Sequence, residues 1–144
     1  MARVKIELPA SFHFSCSIPV RITDINYGGH AGNDAILSII HEARMQYLHH
    51  LGYTEMNLAG TGMIMADVAI EFKSELFYGD TVTASVVAGD ISKIGFDLFY
   101  KLEKQENGMQ KTVALAKTGM ICFDYEKKKI VPMPEEARLK LTAH

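Results

Sequence analysis

Apolar and polar residues alternate over most of this chain, and a period of two is typical of β-strands that bury one face. Five strands are predicted. The inward positions of the first four are Phe12, Phe14, Cys16, Ile18, Val20 and Ile22, then Ile64, Ala66, Val68, Ile70 and Phe72, then Val82, Ala84, Val86 and Ala88, and finally Ile94, Phe96, Leu98, Tyr100 and Leu102. The fifth runs over about 111–125, after Asn107 and Gly108, a dipeptide that favours a type I′ hairpin because both central residues need positive φ. The sequence therefore predicts a mostly antiparallel sheet.

Between the first and second strands the apolar period becomes that of a helix. The spacing i, i+3, i+4, i+7 is followed by Ile36, Ile39, Ile40, Ala43, Tyr47 and Leu48. With Leu37 and Leu51 beside it, this stripe is wide enough to be embedded in a sheet. Asn33 is the predicted N-cap and Gly52 the predicted end, and a short second helix is predicted after Pro134. One long apolar helix followed by an antiparallel sheet predicts an α+β fold in which the sheet wraps the helix.

Composition narrows the class of protein. The 144 residues are 48% hydrophobic and 22% charged, which predicts a single domain, 1–144, with one core. A net charge of -2 provides no basic surface for nucleic acid. Without a signal peptide or a membrane-length apolar stretch, the chain is predicted to be cytoplasmic with no membrane partner. Cys16 and Cys122 are too few for a disulfide framework and are predicted to be reduced.

The segment from Thr23 to Asp34, just before the predicted helix, concentrates the polar chemistry of the chain. It holds two aspartates, two asparagines, a histidine and three glycines. A helix N-terminus offers free N–H groups and the positive end of the helix dipole, which suit a developing oxyanion. Glycine lets a substrate approach the main chain closely. The N–H groups of Gly28, Gly29 and Gly32 are therefore candidate oxyanion donors, and the alternative is that these glycines only shape the turn.

The spacing Asp24-x-Asn26-x-x-Gly29-His30-Ala31-x-Asn33, followed by Glu42-Ala43-Arg44, resembles the signature of hot-dog-fold thioesterases of the 4-hydroxybenzoyl-CoA thioesterase superfamily. The segment 70–82, which contains a Gly-Asp turn, resembles the strand-and-turn motif of the same family. The resemblance implies a five-stranded antiparallel sheet around one central helix, and hydrolysis of an acyl-CoA or acyl-carrier-protein thioester without a cofactor. It also implies a site shared between protomers of a homodimer or dimer of dimers.

The chain departs from the family signature at its catalytic position. The family often has an aspartate, which attacks the thioester or activates water, where this chain has Asn26. An amide cannot be a base or nucleophile, although it can orient a water or a carbonyl. Asp34, in the first helical turn, is the candidate replacement, and the alternative is that it only complements the helix dipole. Asp24 is intact, but it sits where the family more often has a supporting residue.

Three further residues complete the candidate site. His30 is a candidate general base because imidazole titrates near neutrality, and in the family this histidine usually holds the loop or the substrate. Asn33 and Glu42 are candidate substrate-binding residues, and Glu42 has the alternative of a solvated carboxylate or a partner of Arg44 or His41. No metal site is predicted, because no ligand face is formed by His41, His49 and His50.

Asn26 also leaves open other classes of function. Without the usual carboxylate, the protein would be a binding module that holds an acyl thioester and does not hydrolyse it. A hydratase-type lyase is a third possibility, ranked last because that signature places its acid and histidine at a different spacing.

Overall fold

A computed structural model describes residues 2–143 of the protein. Its elements, in chain order, are β1 (Phe14–Pro19), α1 (Asn33–His50), β2 (Gly62–Phe72), β3 (Thr81–Gly89), β4 (Gly95–Glu106), β5 (Met109–Asp124), β6 (Lys129–Ile130) and α2 (Glu135–Thr142). A 3₁₀ turn, Ile22–Asp24, lies between β1 and α1. The predicted α+β class is confirmed, as is the short second helix after Pro134. Among the described residues, neither helix is long and apolar enough to cross a lipid bilayer.

The strands form one antiparallel sheet in the order β1-β3-β4-β5-β2, with β6 paired to the end of β5. The strands β3, β4 and β5 are consecutive in the chain and occupy its centre. The strands β1 and β2, which precede and follow α1, occupy opposite edges. The sheet thus has six strands rather than the predicted five. The additional strand, β6, has two residues, too few to show a period in the sequence.

The core lies between α1 and the sheet. The predicted apolar stripe of α1 is confirmed, since each of its members is at most 6% exposed: Ile36, Ile39, Ile40, Ala43, Tyr47 and Leu48. The sheet side of the core is provided by the predicted inward residues of β3 and β4, including Val82, Ala84, Val86, Phe96, Leu98, Tyr100 and Leu102. The helix packs against β1 and β3. Burial of this stripe fixes the direction of α1 and therefore the place of its N-terminus.

A polar cluster lies inside this apolar core. Arg44 is 5% exposed, and its Nη1 donates to the Tyr100 hydroxyl at 3.3 Å. The same hydroxyl shares a 2.7 Å hydrogen bond with Thr118. The guanidinium Nε lies 3.4 Å from Glu55 Oε2 but is not aligned for a hydrogen bond, and His41 Nε2 lies 2.6 Å from the other oxygen of Glu55. The cluster joins the middle of α1 to the sheet and to the α1–β2 connection.

The turn signals read from the sequence are mostly correct. Asn107 and Gly108 both have positive φ, 53° and 77°, as a type I′ hairpin requires. Gly52, with φ of 87°, follows the end of α1. The predicted N-cap is wrong by one residue: Gly32 is the N-cap and Asn33 the first helical residue, without a side-chain cap. The extended backbone of Gly32 makes it the last non-helical residue, a distinction that residue preferences do not resolve.

Two strand predictions differ from the structure. The first strand ends at Pro19 because the chain then turns into the 3₁₀ helix, which leaves Ile22 66% exposed. The predicted inward face of β2 is only partly covered, since Ile70 packs against the core whereas Val68 and Phe72 are 40% and 49% exposed. A β-bulge between Met65 and Asp67 shifts the alternation within this strand. The outer edge of β2 also has no partner strand among the described residues.

Candidate active site

The site loop, residues 25–32, is closed by main-chain hydrogen bonds between its two arms. The Asn26 N–H donates to the His30 carbonyl at 3.0 Å, and the Gly29 N–H donates to the Asn26 carbonyl at 3.1 Å. Gly29 has φ of 87°, a conformation that glycine adopts without strain. The Gly32 N–H donates to the Asp24 carbonyl at 3.3 Å. The loop is therefore a tight turn that ends directly at the first turn of α1.

Two candidate catalytic side chains converge over Gly32. A Cβ placed on Gly32 would lie 3.4 Å from Asn26 Nδ2 and 2.5 Å from Asp34 Oδ1. The other atom of the Asn26 amide, Oδ1, accepts a 2.8 Å hydrogen bond from the Gly28 N–H. This bond fixes the amide so that its NH₂ group points towards Gly32 and Asp34. The structure therefore brings together the amide at the usual catalytic position and the proposed replacement carboxylate.

The free backbone N–H donors belong to the first turn of α1, directly after the glycines of the site loop. The N–H groups of Gly28, Gly29 and Gly32 all donate to acceptors in or beside the loop. This geometry favours their role in shaping the turn over the predicted role as oxyanion donors. The first hydrogen bond of α1 runs from the Ile36 N–H to the Gly32 carbonyl at 3.2 Å. Three N–H groups lie between Gly32 and Ile36, those of Asn33, Asp34 and Ala35. None of them has a hydrogen-bond acceptor within residues 2–143.

Asp24 anchors the start of the loop. Its side chain is buried, with the residue 8% exposed. One oxygen accepts the Arg21 N–H at 2.8 Å, and the other lies 3.5 Å from the Arg21 guanidinium. Because both oxygens are engaged within the 3₁₀ turn, the geometry favours a supporting role for Asp24 over a catalytic one.

His30 faces a carboxylate that the sequence analysis did not identify. Its Nδ1 lies 3.1 Å from the Ala31 carbonyl, and its Nε2 lies 3.7 Å from Glu75 Oε1. Glu75 belongs to the β2–β3 connection, far from His30 in sequence. Both side chains line a cavity of about 250 Å³ that also contacts Asn33 and Ile36 of α1. His30 and Glu75 meet because the β2–β3 connection contacts the site loop. The spacing of residues along the chain does not reveal this contact.

Glu42 lies on another part of α1. It is eight residues beyond Asp34, or about 12 Å along the helix axis, and it accepts a 2.8 Å hydrogen bond from Gln46. Its alternative partners in the sequence, Arg44 and His41, both contact Glu55 instead. Burial, followed by the charge of Glu42, raises the pKa of the Cys16 thiol, which keeps the thiol protonated and a poor nucleophile.

Two of the three histidines of α1, His41 and His50, contact different neighbours. His41 contacts Glu55, and the His50 ring lies 5.1 Å from the Phe14 ring. Within residues 2–143, no three His, Cys, Asp or Glu side chains are grouped so that they could hold a metal ion.

Comparison with known proteins places these features in a family. The sequence model of the thioesterase-like superfamily matches residues 20–141 of the chain. No curated protein sequence matches it. The fold is similar to that of a 1,4-dihydroxy-2-naphthoyl-CoA thioesterase from Synechocystis, with a TM-score of 0.78 and 19% identity over 89% of this chain and 94% of that chain.

Two other solved structures are similar to the same extent. A gentisyl-coenzyme A thioesterase has a TM-score of 0.78 and 18% identity, over 90% of this chain and 100% of that chain. A mutant 4-hydroxybenzoyl CoA thioesterase, complexed with 4-hydroxybenzoyl CoA, has a TM-score of 0.81 and 13% identity, over 90% of this chain and 98% of that chain. At these identities the likeness shows the fold, and the hot-dog fold implied by the sequence resemblance is confirmed.

Proposed function

Because the chain belongs to the thioesterase-like superfamily, we propose that it hydrolyses an acyl-CoA thioester to a free acid and the CoA thiol. The observation that carries this proposal is the convergence of Asn26 Nδ2 and Asp34 Oδ1 over Gly32. This pair lies beside the unpaired N–H groups at the start of α1. A carboxylate, an amide donor and free backbone donors are the groups that water-mediated thioester hydrolysis requires. An acyl-carrier-protein thioester is the alternative substrate of the same chemistry.

Each group has a role in the proposed reaction. Asp34 takes a proton from a water molecule as its oxygen attacks the thioester carbonyl carbon. The carbonyl oxygen becomes an oxyanion, which the N–H groups of Asn33 and Ala35 and the positive end of the α1 dipole stabilise. The Asn26 NH₂ group orients the water or the Asp34 carboxylate. Donors fixed by the helix need no reorganisation during the reaction.

The proposal predicts thiol release from acyl-CoA. The purified protein should release free thiol from at least one member of a panel of aliphatic and aromatic acyl-CoA thioesters, measured with a thiol-reactive dye. The corresponding acyl-carrier-protein thioesters, assayed in parallel, distinguish the two carriers. A protein that binds these thioesters in calorimetry but releases no thiol from any of them would contradict the proposal.

That contrary outcome would define the second candidate function, a binding module for acyl thioesters. The observation that favours it is Asn26, since its amide accepts from the Gly28 N–H and donates towards Asp34 but cannot take a proton from water. In this case Asp34 would only complement the dipole of α1.

We propose a homodimer, or a dimer of dimers, as the working form. The edge strand β2 presents unpaired main-chain groups together with three exposed apolar side chains, Met65, Val68 and Phe72. Pairing of β2 with the same strand of a second protomer would cover this edge. Phe72 also borders the cavity that contains His30, so a partner at this edge would lie next to the site.

The dimer proposal predicts at least a dimer in light scattering at micromolar concentration. Val68→Lys should shift the protein towards the monomer, because it places a charge on the proposed interface. Leu139→Lys is the matched control, since Leu139 is 61% exposed on α2, away from β2. A wild-type protein that is monomeric and active would contradict the shared site.

A further inference from the structure

The main chain on both sides of Glu75 is fixed to the rest of the molecule. In the β2–β3 connection, residues 73–80, the Leu76 carbonyl accepts the Ala31 N–H at 2.8 Å. The Glu75 carbonyl accepts a 2.7 Å hydrogen bond from Lys104 Nζ, and Lys104 is only 5% exposed. A buried lysine and a bond to the site loop therefore hold the backbone that carries Glu75. The fold therefore fixes the position from which the Glu75 side chain, itself largely exposed, reaches the loop.

The hydrogen bond at Nδ1 determines what His30 can do. The Ala31 carbonyl can only accept, so Nδ1, at 3.1 Å, must be the donor. Nε2 is then the ring nitrogen that exchanges a proton with the cavity, and it lies 3.7 Å from Glu75 Oε1. When Nε2 carries a proton, the imidazolium and the Glu75 carboxylate form an ion pair at this distance.

His30 and Asp34 lie on opposite sides of the Asn26 amide. A Cβ placed on Gly28 would lie 3.1 Å from Asn26 Oδ1 and 3.6 Å from His30 Nε2, whereas the nitrogen of the same amide is directed towards Gly32 and Asp34. One titratable group is thus a carboxylate beside the free N–H groups of the helix. The other is an imidazole beside a carboxylate. The arrangement therefore separates two groups that can each carry a proton, one on either side of the amide.

We propose that His30 is the proton donor to the departing thiolate and that Glu75 is its positioning residue. This rests on the proposed thioester hydrolysis, in which Asp34 takes the proton of the attacking water and the new C–O bond forms. When the C–S bond breaks, its electron pair goes to sulfur, and sulfur takes the proton of His30 Nε2. The products are the acid and the thiol, and the proton on Asp34 returns through solvent to His30. Glu75 holds the imidazole ring in place through its contact with Nε2 before the transfer.

The test compares two thioesters of one acyl group, the CoA thioester and the thiophenyl thioester. Thiophenolate is a stable anion and departs without a proton, so it does not need the donor. Glu75→Gln should lower the single-turnover rate on the CoA thioester about tenfold. This loss is smaller than the factor of about 10² or more that is lost when a general acid itself is removed. KM should stay unchanged, and the rate on the thiophenyl thioester should fall less than about twofold.

Further variants separate positioning from mere structure. His30→Gln should show the same selectivity for the CoA thioester with a loss at least as large. Glu75→Gln should then add nothing in that background, because the two side chains act as one unit. Glu75→Asp should restore part of the rate. Glu126→Gln, at an exposed carboxylate in the turn after β5, is the control for lost charge and should match the wild type.

The outcomes distinguish this inference from the function on which it rests. Equal losses on both thioesters, or additive losses in the combined variant, would overturn the role of His30 and Glu75 and leave hydrolysis standing. No turnover of either thioester by the wild-type protein would overturn hydrolysis itself. Since the Glu75 side chain is 61% exposed, Glu75→Gln is expected to fold normally, which thermal unfolding would verify.

Discussion

Asp34→Asn is expected to lower kcat on the best acyl-CoA substrate about 10²-fold or more, the usual effect of losing a general base, while KM stays nearly unchanged. The physical reason is that Asp34 Oδ1 is the carboxylate oxygen found over Gly32, where Asn26 contributes only an amide. Steady-state kinetics measure the effect, and circular dichroism checks the fold. An unchanged kcat would reduce Asp34 to a partner of the helix dipole.

A matched experiment places the carboxylate at position 26 instead of position 34. In the Asp34→Asn background, Asn26→Asp should recover part of the rate, because Asn26 and Asp34 reach the same space over Gly32. In the wild-type background, the same Asn26→Asp change should lower the rate, since it removes the NH₂ group that orients the water or the Asp34 carboxylate. Asp24→Asn is the control and should mainly disturb the order of the loop. If the variant that combines Asp34→Asn with Asn26→Asp recovered no activity, the proposal that a carboxylate at either position can act as the base would be contradicted.

Arg44→Ala is expected to lower the free energy of unfolding by about 3 kcal/mol, because it removes one partner of a largely buried ion pair and leaves Glu55 with His41 as its remaining partner. The Glu55 side chain is 22% exposed, so the expected loss lies at the lower end for buried pairs. The Tyr100 hydroxyl also loses its Arg44 donor. Urea denaturation with an unchanged m-value would measure the change.

The controls for this prediction separate charge from bulk. Arg44→Met combined with Glu55→Gln should restore about half of the loss, because the double change also removes the carboxylate that has lost its arginine partner. Arg3→Met, at an exposed position near the N-terminus, should stay within about 0.5 kcal/mol of the wild type. An Arg44→Ala protein as stable as Arg3→Met would show that the cluster contributes nothing to stability.

The periodicity of apolar residues predicts the core, but it does not predict which elements cover each face of a strand. The spacing from Ile36 to Leu48 predicted α1 and its buried stripe, because a helix face that wide must be enclosed by other apolar residues. The same logic failed for β2. Alternation shows which side chains share a face, but on the face shared by Val68, Ile70 and Phe72 only Ile70 packs against the core. The bulge at Met65 and an unpaired edge are properties of strand pairing, which one strand does not reveal.

The candidate site also has a part that the sequence predicts and a part that it does not. Residues 23–34 were recognised as the chemical centre because their polar residues and glycines stand together before a helix. The partner of His30 was missed because Glu75 resembles any exposed glutamate between two strands. Only the bond between Leu76 and Ala31 brings it to the loop, and such contacts depend on tertiary structure.

The order of the strands has a consequence for how the molecule folds. The strands β3, β4 and β5 follow one another in the chain and are joined by short connections. The pairing of β1 with β3 must instead close a loop that contains all of α1 and β2. Closing a longer loop costs more entropy, and pairings between distant segments slow folding. We therefore expect the three-stranded meander to form early and the site loop, which lies between β1 and α1, to become ordered among the last segments of the nascent chain.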